Sequence, residues 1–258
     1  MKIQLIPQFE DIFEELVLPE WLNGKEESFL NLNIGARDFN HVMETCRCFQ
    51  SLYDIICSAR LNLICACKNE YPELLDSDNP QLSHEWMRSQ FLNNAILWYN
   101  AAFDLTLQPL WIYFKIYAKA RHTLMLTTES FDKILEICRF KSLKKYGSEE
   151  LGDELIQKLE IIDSYMQKKI RLWAITMKHR KKIEYVELSK KKHLVAVGGT
   201  FSIGKDENGK ETIKMNEGEY NSSKTIIRID MINTISTLIS FHKELIQITK
   251  AIVAKINL

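Results

Sequence analysis

The residues with the clearest chemical potential form a basic run in the second half of the chain. Arg171 opens this run, and an unbroken stretch of cationic and histidine side chains follows at 178–182. A histidine exchanges protons near neutral pH, and arginine side chains bind phosphate groups. Such a set suits the binding and chemistry of a phosphate backbone. Its members are Lys178, His179, Arg180, Lys181 and Lys182.

The spacing between Arg171 and His179 limits what one helix can do with them. Eight positions along an α-helix place two side chains about 80° apart around the axis and about 12 Å apart along it. The two therefore reach one phosphate only if the helix bends or a second subunit contributes, whereas Lys178 lies nearer the face of Arg171. The alternative interpretation is a solvated basic helix end without a site.

A second candidate group lies in the apolar stretch at 97–111, where Asp104 is the one acidic residue. A carboxylate among apolar side chains needs a partner, because burying an unpaired charge is costly. We expect an arginine or a histidine of a neighbouring helix to supply that partner. Asp104 then serves either as a polar tether inside a helical body or as the residue that orients a catalytic basic group.

Cysteine, histidine and glycine spacing gives no support for a metal or cofactor site. Five of the six cysteines fall between Cys46 and Cys67, where Cys-x-Cys pairs on a helix point to different faces, unlike zinc-binding knuckles. They are typical of small buried side chains in a reducing compartment. The six histidines are scattered, and the glycines near 198–204 lack the spacing of a phosphate loop. We expect no metal and no cofactor.

Long helices are predicted to position these residues, because apolar side chains recur every three or four positions. One helix is expected from Asp38 to about Tyr71. A second is expected to begin after an N-cap at Ser83, and Pro109 should either bend it or end it.

Three further helices are predicted downstream. A short one at 131–146 is expected to stop at Gly147, as helices often do at glycine. Another begins within 148–153 and continues into the basic run. The last has a broad apolar stripe that includes a seven-residue repeat of Ile232, Ile239, Ile246 and Val253.

Apolar residues recur about every 3.6 positions in the helices but every second position at about 183–218. This change in spacing predicts a β-hairpin there, just before the last helix. Residues 1–36 should form an irregular segment that packs on the helices, and residues 37–258 a single domain. The predicted fold class is mainly α, an antiparallel bundle of about five long helices with the hairpin inserted before the last one.

Composition and charge place the chain among ordinary globular proteins. Its formal net charge is zero, although ten cations face two acids between 168 and 193. No signal peptide is recognisable at the N-terminus. The apolar stretch at 89–114 is long enough to span a bilayer, but its amides, carboxylate and proline favour a buried core helix. We therefore expect a soluble cytoplasmic protein with no membrane partner.

Three features together resemble the HEPN superfamily, in particular bacterial HEPN-like helical-bundle proteins with a Lys-His-Arg motif. They are the helix that carries Leu-Trp-Tyr-Asn-Ala-Ala-Phe-Asp at 97–104, the segment from Met177 to Arg180 at a later helix end, and the hairpin that leads into a final long helix. The resemblance covers 37–258 and depends more on the order of the elements than on any single motif.

The resemblance implies a site and an activity. Active HEPN proteins are metal-independent endoribonucleases whose Arg-x4–6-His motif is usually assembled across a homodimer. It implies His179 as the acid or base at the ribose 2′-hydroxyl and Arg171 or Arg180 as the stabiliser of the phosphorane charge. Asp104 or Asn100 would orient these residues, and Lys178, Lys181 and Lys182 would bind phosphates.

This chain departs from the family pattern at two positions. Seven residues separate Arg171 from His179, and Leu172 follows Arg171 where a polar residue is common. The expected function is an RNA-binding protein, with metal-independent cleavage in a defence or toxin system, acting as a homodimer. The alternative is a non-catalytic HEPN-like module that binds a partner protein or a nucleotide. A third hypothesis is a metal or small-molecule enzyme whose site is assembled from residues dispersed along the sequence.

Overall fold

Helices make up most of the structure, so the predicted mainly α fold class is confirmed. The computed structural model describes residues 4–18, 39–71, 80–121, 128–178, 183–189, 200–205, 211–216 and 227–256. A 3-10 turn, Pro7–Phe9, precedes the first helix, and a π-helical turn, Met166–Ile170, joins the seventh to the eighth. The helices are α1 (Ile12–Glu15), α2 (Phe39–Ala66), α3 (Pro80–Tyr113), α4 (Ile116–Arg121), α5 (Thr128–Glu136), α6 (Phe140–Leu151), α7 (Asp153–Tyr165), α8 (Arg171–Lys178), α9 (Val186–Ser189) and α10 (Met231–Ile256).

Helices α2 and α3 lie antiparallel and form the centre of the fold. Near the end of α2, the Arg88 guanidinium of α3 donates hydrogen bonds to the carbonyls of Ala66 at 3.2 Å and Lys68 at 3.0 Å. At the opposite end, His41 of α2 lies 2.5 Å from the Tyr117 hydroxyl. Buried residues are spread around the circumference of α3, which is typical of a helix surrounded by others.

The bounds of α3 differ from the predicted ones at both ends. The helix begins at Pro80 rather than after Ser83, in agreement with the preference of proline for the first helical turn. It continues through Pro109 to Tyr113, so the alternative that it ended before the proline was wrong. Lys115, with a φ of 54°, lies between α3 and α4.

The predicted helix end at Gly147 was wrong. The stretch at 131–146 is divided between α5 and α6, and α6 passes through Gly147 to end at Leu151, before Gly152 with its φ of 78°. Gly147 is needed for packing instead, because a Cβ atom there would overlap with Cδ1 of Ile116. The missing side chain allows α6 to approach α4 closely.

Helix α10 buries its apolar stripe within the chain. Ile235, Leu238, Leu245 and Ile252 are fully buried, and the seven-residue repeat lies at the edges of this stripe. Helix α10 runs antiparallel to α7, because the Tyr165 hydroxyl at the end of α7 donates to the Thr237 carbonyl near the start of α10 at 3.3 Å.

Within the described ranges, the strands form two separate pairs. Strand β1 (Ile183–Tyr185) pairs in parallel with β4 (Ile227–Ile229). Strand β2 (Thr200–Lys205) pairs antiparallel with β3 (Glu211–Asn216), and Thr200 lies opposite Asn216. The β2–β3 pair lies within the predicted hairpin at 183–218, whereas β1 belongs to the other sheet.

Residues 4–18 lie against the helices through backbone contacts. The Arg60 side chain of α2 donates to the Leu16 carbonyl at 2.6 Å, and the amide of Ile6 donates to the Cys67 carbonyl at 2.9 Å. His242 of α10 contacts the Val17 carbonyl at 2.9 Å. The remainder of the predicted irregular segment, residues 1–3 and 19–36, lies outside the described residues.

Candidate functional site

A π-helical turn directly before Arg171 sets the face that α8 presents to the rest of the chain. Ile162, Met166, Ile170 and Ala174 follow one another at intervals of four, and each is at most 2% exposed. In a regular α-helix each such step advances about 40° around the axis, so the fourth side chain would lie about 120° from the first. The wider π turn offsets part of this drift and keeps the four residues on the buried side.

Arg171, the first residue of α8, forms an ion pair with Asp104 of α3. Its guanidinium donates a hydrogen bond to Oδ1 of Asp104 and lies 5.9 Å from the centre of the Phe103 ring. The side chains are 26% exposed for Arg171 and 53% exposed for Asp104. Because the pair is partly solvated, we expect it to stabilise the fold by less than about 1 kcal/mol. Its clearer effect is to fix the start of α8 on α3.

The prediction that Asp104 is buried was wrong, although an arginine of a neighbouring helix is near it as expected. The outward side of α3 at Asp104 is only partly covered by α8, so the carboxylate reaches solvent. Apolar neighbours along the sequence indicated burial, but their side chains point to other sides of the helix. The sequence pattern does not show which side of a central helix remains open.

Asn100 lies on α3 one helical turn before Asp104 and is only 7% exposed. Its side-chain oxygen has no hydrogen-bond partner among the described residues. An unpaired buried acceptor is costly, and such groups are uncommon in folded proteins. Asn100 and Asp104 share a face of α3 because they are four positions apart. This polar face lies where α8 begins.

The cationic residues of the predicted site fall into two groups. Lys178 ends α8 and is exposed, at about 10 Å along the axis from Arg171. His179, Arg180, Lys181 and Lys182 lie outside the described residues. The structure thus brings Arg171 and Asp104 together, with Asn100 one turn away. It places Lys178 at the opposite end of α8.

The outward face of α8 carries two apolar side chains before it reaches Lys178. Leu172 and Ile175 are exposed, while Trp173, Ala174 and Thr176 of the same helix are buried. Leu172 directly follows Arg171, so the first exposed position of α8 is apolar. An apolar side chain there cannot donate or accept a hydrogen bond at the site.

Two buried histidines, His41 and His242, belong to the core, and no spacing pattern in the sequence indicated a role for either. Burial lowers the pKa of His242 to about 4. Its Nε2 faces the Val17 carbonyl, an acceptor, so this nitrogen carries the proton and the ring is neutral. His242 is therefore a structural residue near neutral pH rather than a proton-transfer group.

The six cysteines are free, and three of them, Cys48, Cys67 and Cys138, are buried as predicted, whereas the other three are half-buried. Burial raises the pKa of Cys48 and of Cys67 to about 12, so both remain protonated thiols at neutral pH. Protonated thiols are poor nucleophiles and poor metal ligands. Across the described ranges, no group of three or more histidine, cysteine or acidic side chains is arranged to hold a metal ion.

Among the helices of the described ranges, none combines the length and apolar character that crossing a bilayer requires. Comparisons of the chain with models of known protein families, with curated proteins and with solved structures found no match.

Proposed function

We propose that this chain is a HEPN-like RNA-binding protein that cleaves RNA without a metal ion, with its site at the basic end of α8. The observation that supports this proposal is the ion pair between Arg171 and Asp104. The ion pair attaches the start of α8 to α3. The other end of α8 carries the exposed Lys178, and His179 follows it in the sequence.

The ion pair also divides the roles among the basic residues. The Arg171 guanidinium donates a hydrogen bond to Asp104. We therefore assign Arg171 the role of positioning α8 rather than that of binding a phosphate. The phosphorane charge would then be stabilised by Arg180, and Lys178, Lys181 and Lys182 would bind neighbouring phosphates. Asn100, one helical turn from Asp104, would help to position the start of α8 through its buried amide.

The proposed reaction uses the ribose 2′-hydroxyl as its nucleophile. His179 removes the hydroxyl proton, the 2′-oxygen attacks phosphorus, and the bond from phosphorus to the 5′-oxygen breaks. A proton returns to the leaving 5′-oxygen, so that the products are a 2′,3′-cyclic phosphate and a 5′-hydroxyl. No metal is needed, since proton transfer and cationic side chains supply the catalysis.

The decisive experiment is an RNA cleavage assay in the presence of a chelator, with wild-type protein and His179→Ala compared. We expect cyclic phosphate products from the wild type and none from the variant, while RNA binding is retained. Lys178→Ala should weaken RNA binding, whereas Lys250→Ala, which removes an exposed lysine of α10, serves as the matched control. Cleavage that requires a divalent metal, or that persists in His179→Ala, contradicts the mechanism.

A second candidate function is a non-catalytic module that binds a partner protein or a nucleotide. The exposed apolar pair Leu172 and Ile175 on α8 favours it, because such side chains suit a protein contact better than a phosphate backbone. RNA binding without cleavage, or no RNA binding together with loss of a protein contact in Leu172→Asn, would support this candidate over the nuclease.

A further inference from the structure

A cavity of about 420 Å³ lies where the start of α7 meets the end of α10. These two helices run antiparallel, so their opposite ends come together there. A cavity of this size falls within the range of about 300 to 1,000 Å³ that is usual for small-molecule sites. Its lining shares no residue with the candidate site at α8.

The floor of the cavity is apolar, and its residues on the α10 side are small. Leu151 and Leu155 are buried, whereas Ala251 and Ala254 share one face of α10 and contribute only methyl groups. Gly152, between α6 and α7, adds no side chain, and a Cβ atom there would meet nothing within 4 Å. The cavity therefore has open space in which a short aliphatic group can be buried.

Two opposite charges line this cavity without pairing with each other. They are Asp153 of α7, which is exposed, and Lys255 of α10, which is half-buried. Neither forms an ion pair within the described ranges. By contrast, Lys158 and Glu154, which also line the cavity, pair with each other at 2.6 Å. One free acid and one free base thus remain beside the apolar floor.

The positions of these two residues on their helices leave their hydrogen-bonding atoms unused. Asp153 lies in the first turn of α7 and Lys255 in the last turn of α10, so each offsets the partial charge at that helix end. This effect acts through the helix dipole and is typically worth about 0.3 to 1 kcal/mol at an exposed position. Both side chains can therefore still bind a ligand.

We propose that this cavity binds a free aliphatic α-amino acid. Such a molecule carries an ammonium and a carboxylate on one carbon atom, so a single small ligand supplies a partner for both Asp153 and Lys255. The ligand ammonium donates to the Asp153 carboxylate, and the Lys255 ammonium donates to the ligand carboxylate. The aliphatic side chain of the ligand covers the apolar floor, which removes apolar surface from water. A ligand with only one charge would leave one of the two residues unpaired.

Isothermal titration calorimetry of the full chain tests the proposal with leucine and two analogues. N-acetylleucine lacks the ammonium, and leucinamide lacks the carboxylate. We expect leucine to bind and each analogue to bind about tenfold more weakly, because each loses one charge-assisted hydrogen bond.

Two substitutions assign each ligand charge to its residue. Asp153→Asn should raise the Kd of leucine about tenfold and leave that of N-acetylleucine unchanged within about twofold, because this analogue has no ammonium to lose a partner. Lys255→Gln should do the same for leucine and for leucinamide, which has no carboxylate. Ala254→Leu should abolish binding, since the larger side chain fills the cavity from an exposed position of α10.

Lys250→Gln is the control, because it removes an exposed charge of α10 that does not line the cavity. Circular dichroism verifies that each variant retains its helices. The proposal is overturned if leucine does not bind the wild type, if the analogues bind as well as leucine, or if Asp153→Asn and Lys255→Gln bind leucine as well as Lys250→Gln does. None of these measurements involves RNA, so this proposal and the proposed function fail separately.

Discussion

The Tyr99 hydroxyl of α3 donates a hydrogen bond to Nδ1 of His242 on α10 over a distance of 3.0 Å. The direction follows from the other side of the ring, where Nε2 donates to the Val17 carbonyl at 2.9 Å. One neutral imidazole therefore connects two helices with the N-terminal segment. Protonation of Nδ1 would remove the acceptor that Tyr99 uses.

We expect acid to destabilise the fold through His242. Burial lowers its folded pKa from 6.5 to about 4, so the unfolded chain binds a proton more readily. Stability is then complete above about pH 6.5 and falls as the pH decreases toward 4, with a loss of about 2 kcal/mol at pH 5. Urea unfolding at a series of pH values measures the slope. His242→Gln should be less stable at pH 7 and should lack this part of the slope; an unchanged slope contradicts the assignment.

Gly147→Ala should destabilise the protein by about 1 to 3 kcal/mol, because the new Cβ would overlap with Cδ1 of Ile116. Ile116→Val removes that Cδ1 atom, so the double variant should lose less than the sum of the two single changes. Thermal unfolding of the four proteins measures this coupling. Additive losses would show that the close approach of α4 and α6 does not determine the residue at 147.

Glu187→Ala should loosen the first turn of α10 and cost about 1 kcal/mol. The carboxylate of Glu187 accepts a hydrogen bond from the Met231 amide at 2.9 Å, at the positive end of the helix dipole. Glu187→Gln retains an acceptor and should lose less. Hydrogen exchange of the amides in the first turn of α10 reports the effect, and equal exchange in both variants argues against a capping role.

Asp104→Asn should release the Arg171 guanidinium from its ion pair. If the site binds RNA, the freed cation should strengthen RNA binding by about two- to threefold at low salt and less at high salt. Fluorescence anisotropy with a single-stranded RNA measures the change. Asp153→Asn, which removes an exposed carboxylate at the start of α7, controls for the change in net charge. An equal gain in both variants contradicts a local effect.

Regular periodicity made much of the fold predictable. The spacing of apolar residues indicated α2 and the last helix, because their buried stripes repeat over many turns. A cationic partner for Asp104 was also predicted, as an arginine or a histidine of a neighbouring helix, and Arg171 is that partner. The reason given for it was wrong, because Asp104 is 53% exposed and its charge is not isolated from water.

Features that depend on a distant part of the chain were missed. Gly147 is a typical helix terminator locally, but its role is set by Ile116, which approaches from α4. The contact between His242 and Val17 spans most of the sequence, and neither residue signals the other. The π turn was also missed, because the apolar residues at 155–177 are spaced by three or four positions, as in a regular α-helix.

The parallel pairing of β1 with β4 has a consequence for how this chain can change in evolution. Ile183 and Ile227 lie side by side, so the chain leaves the helical body and returns to it at one point. The hydrogen bond from the Met231 amide to the Glu187 carboxylate stabilises the structure at the same point. Because the entropy of closing a loop grows only slowly with its length, residues between these anchors tolerate deletion or enlargement at little cost to the helices. New specificity can therefore be acquired there without redesign of the core.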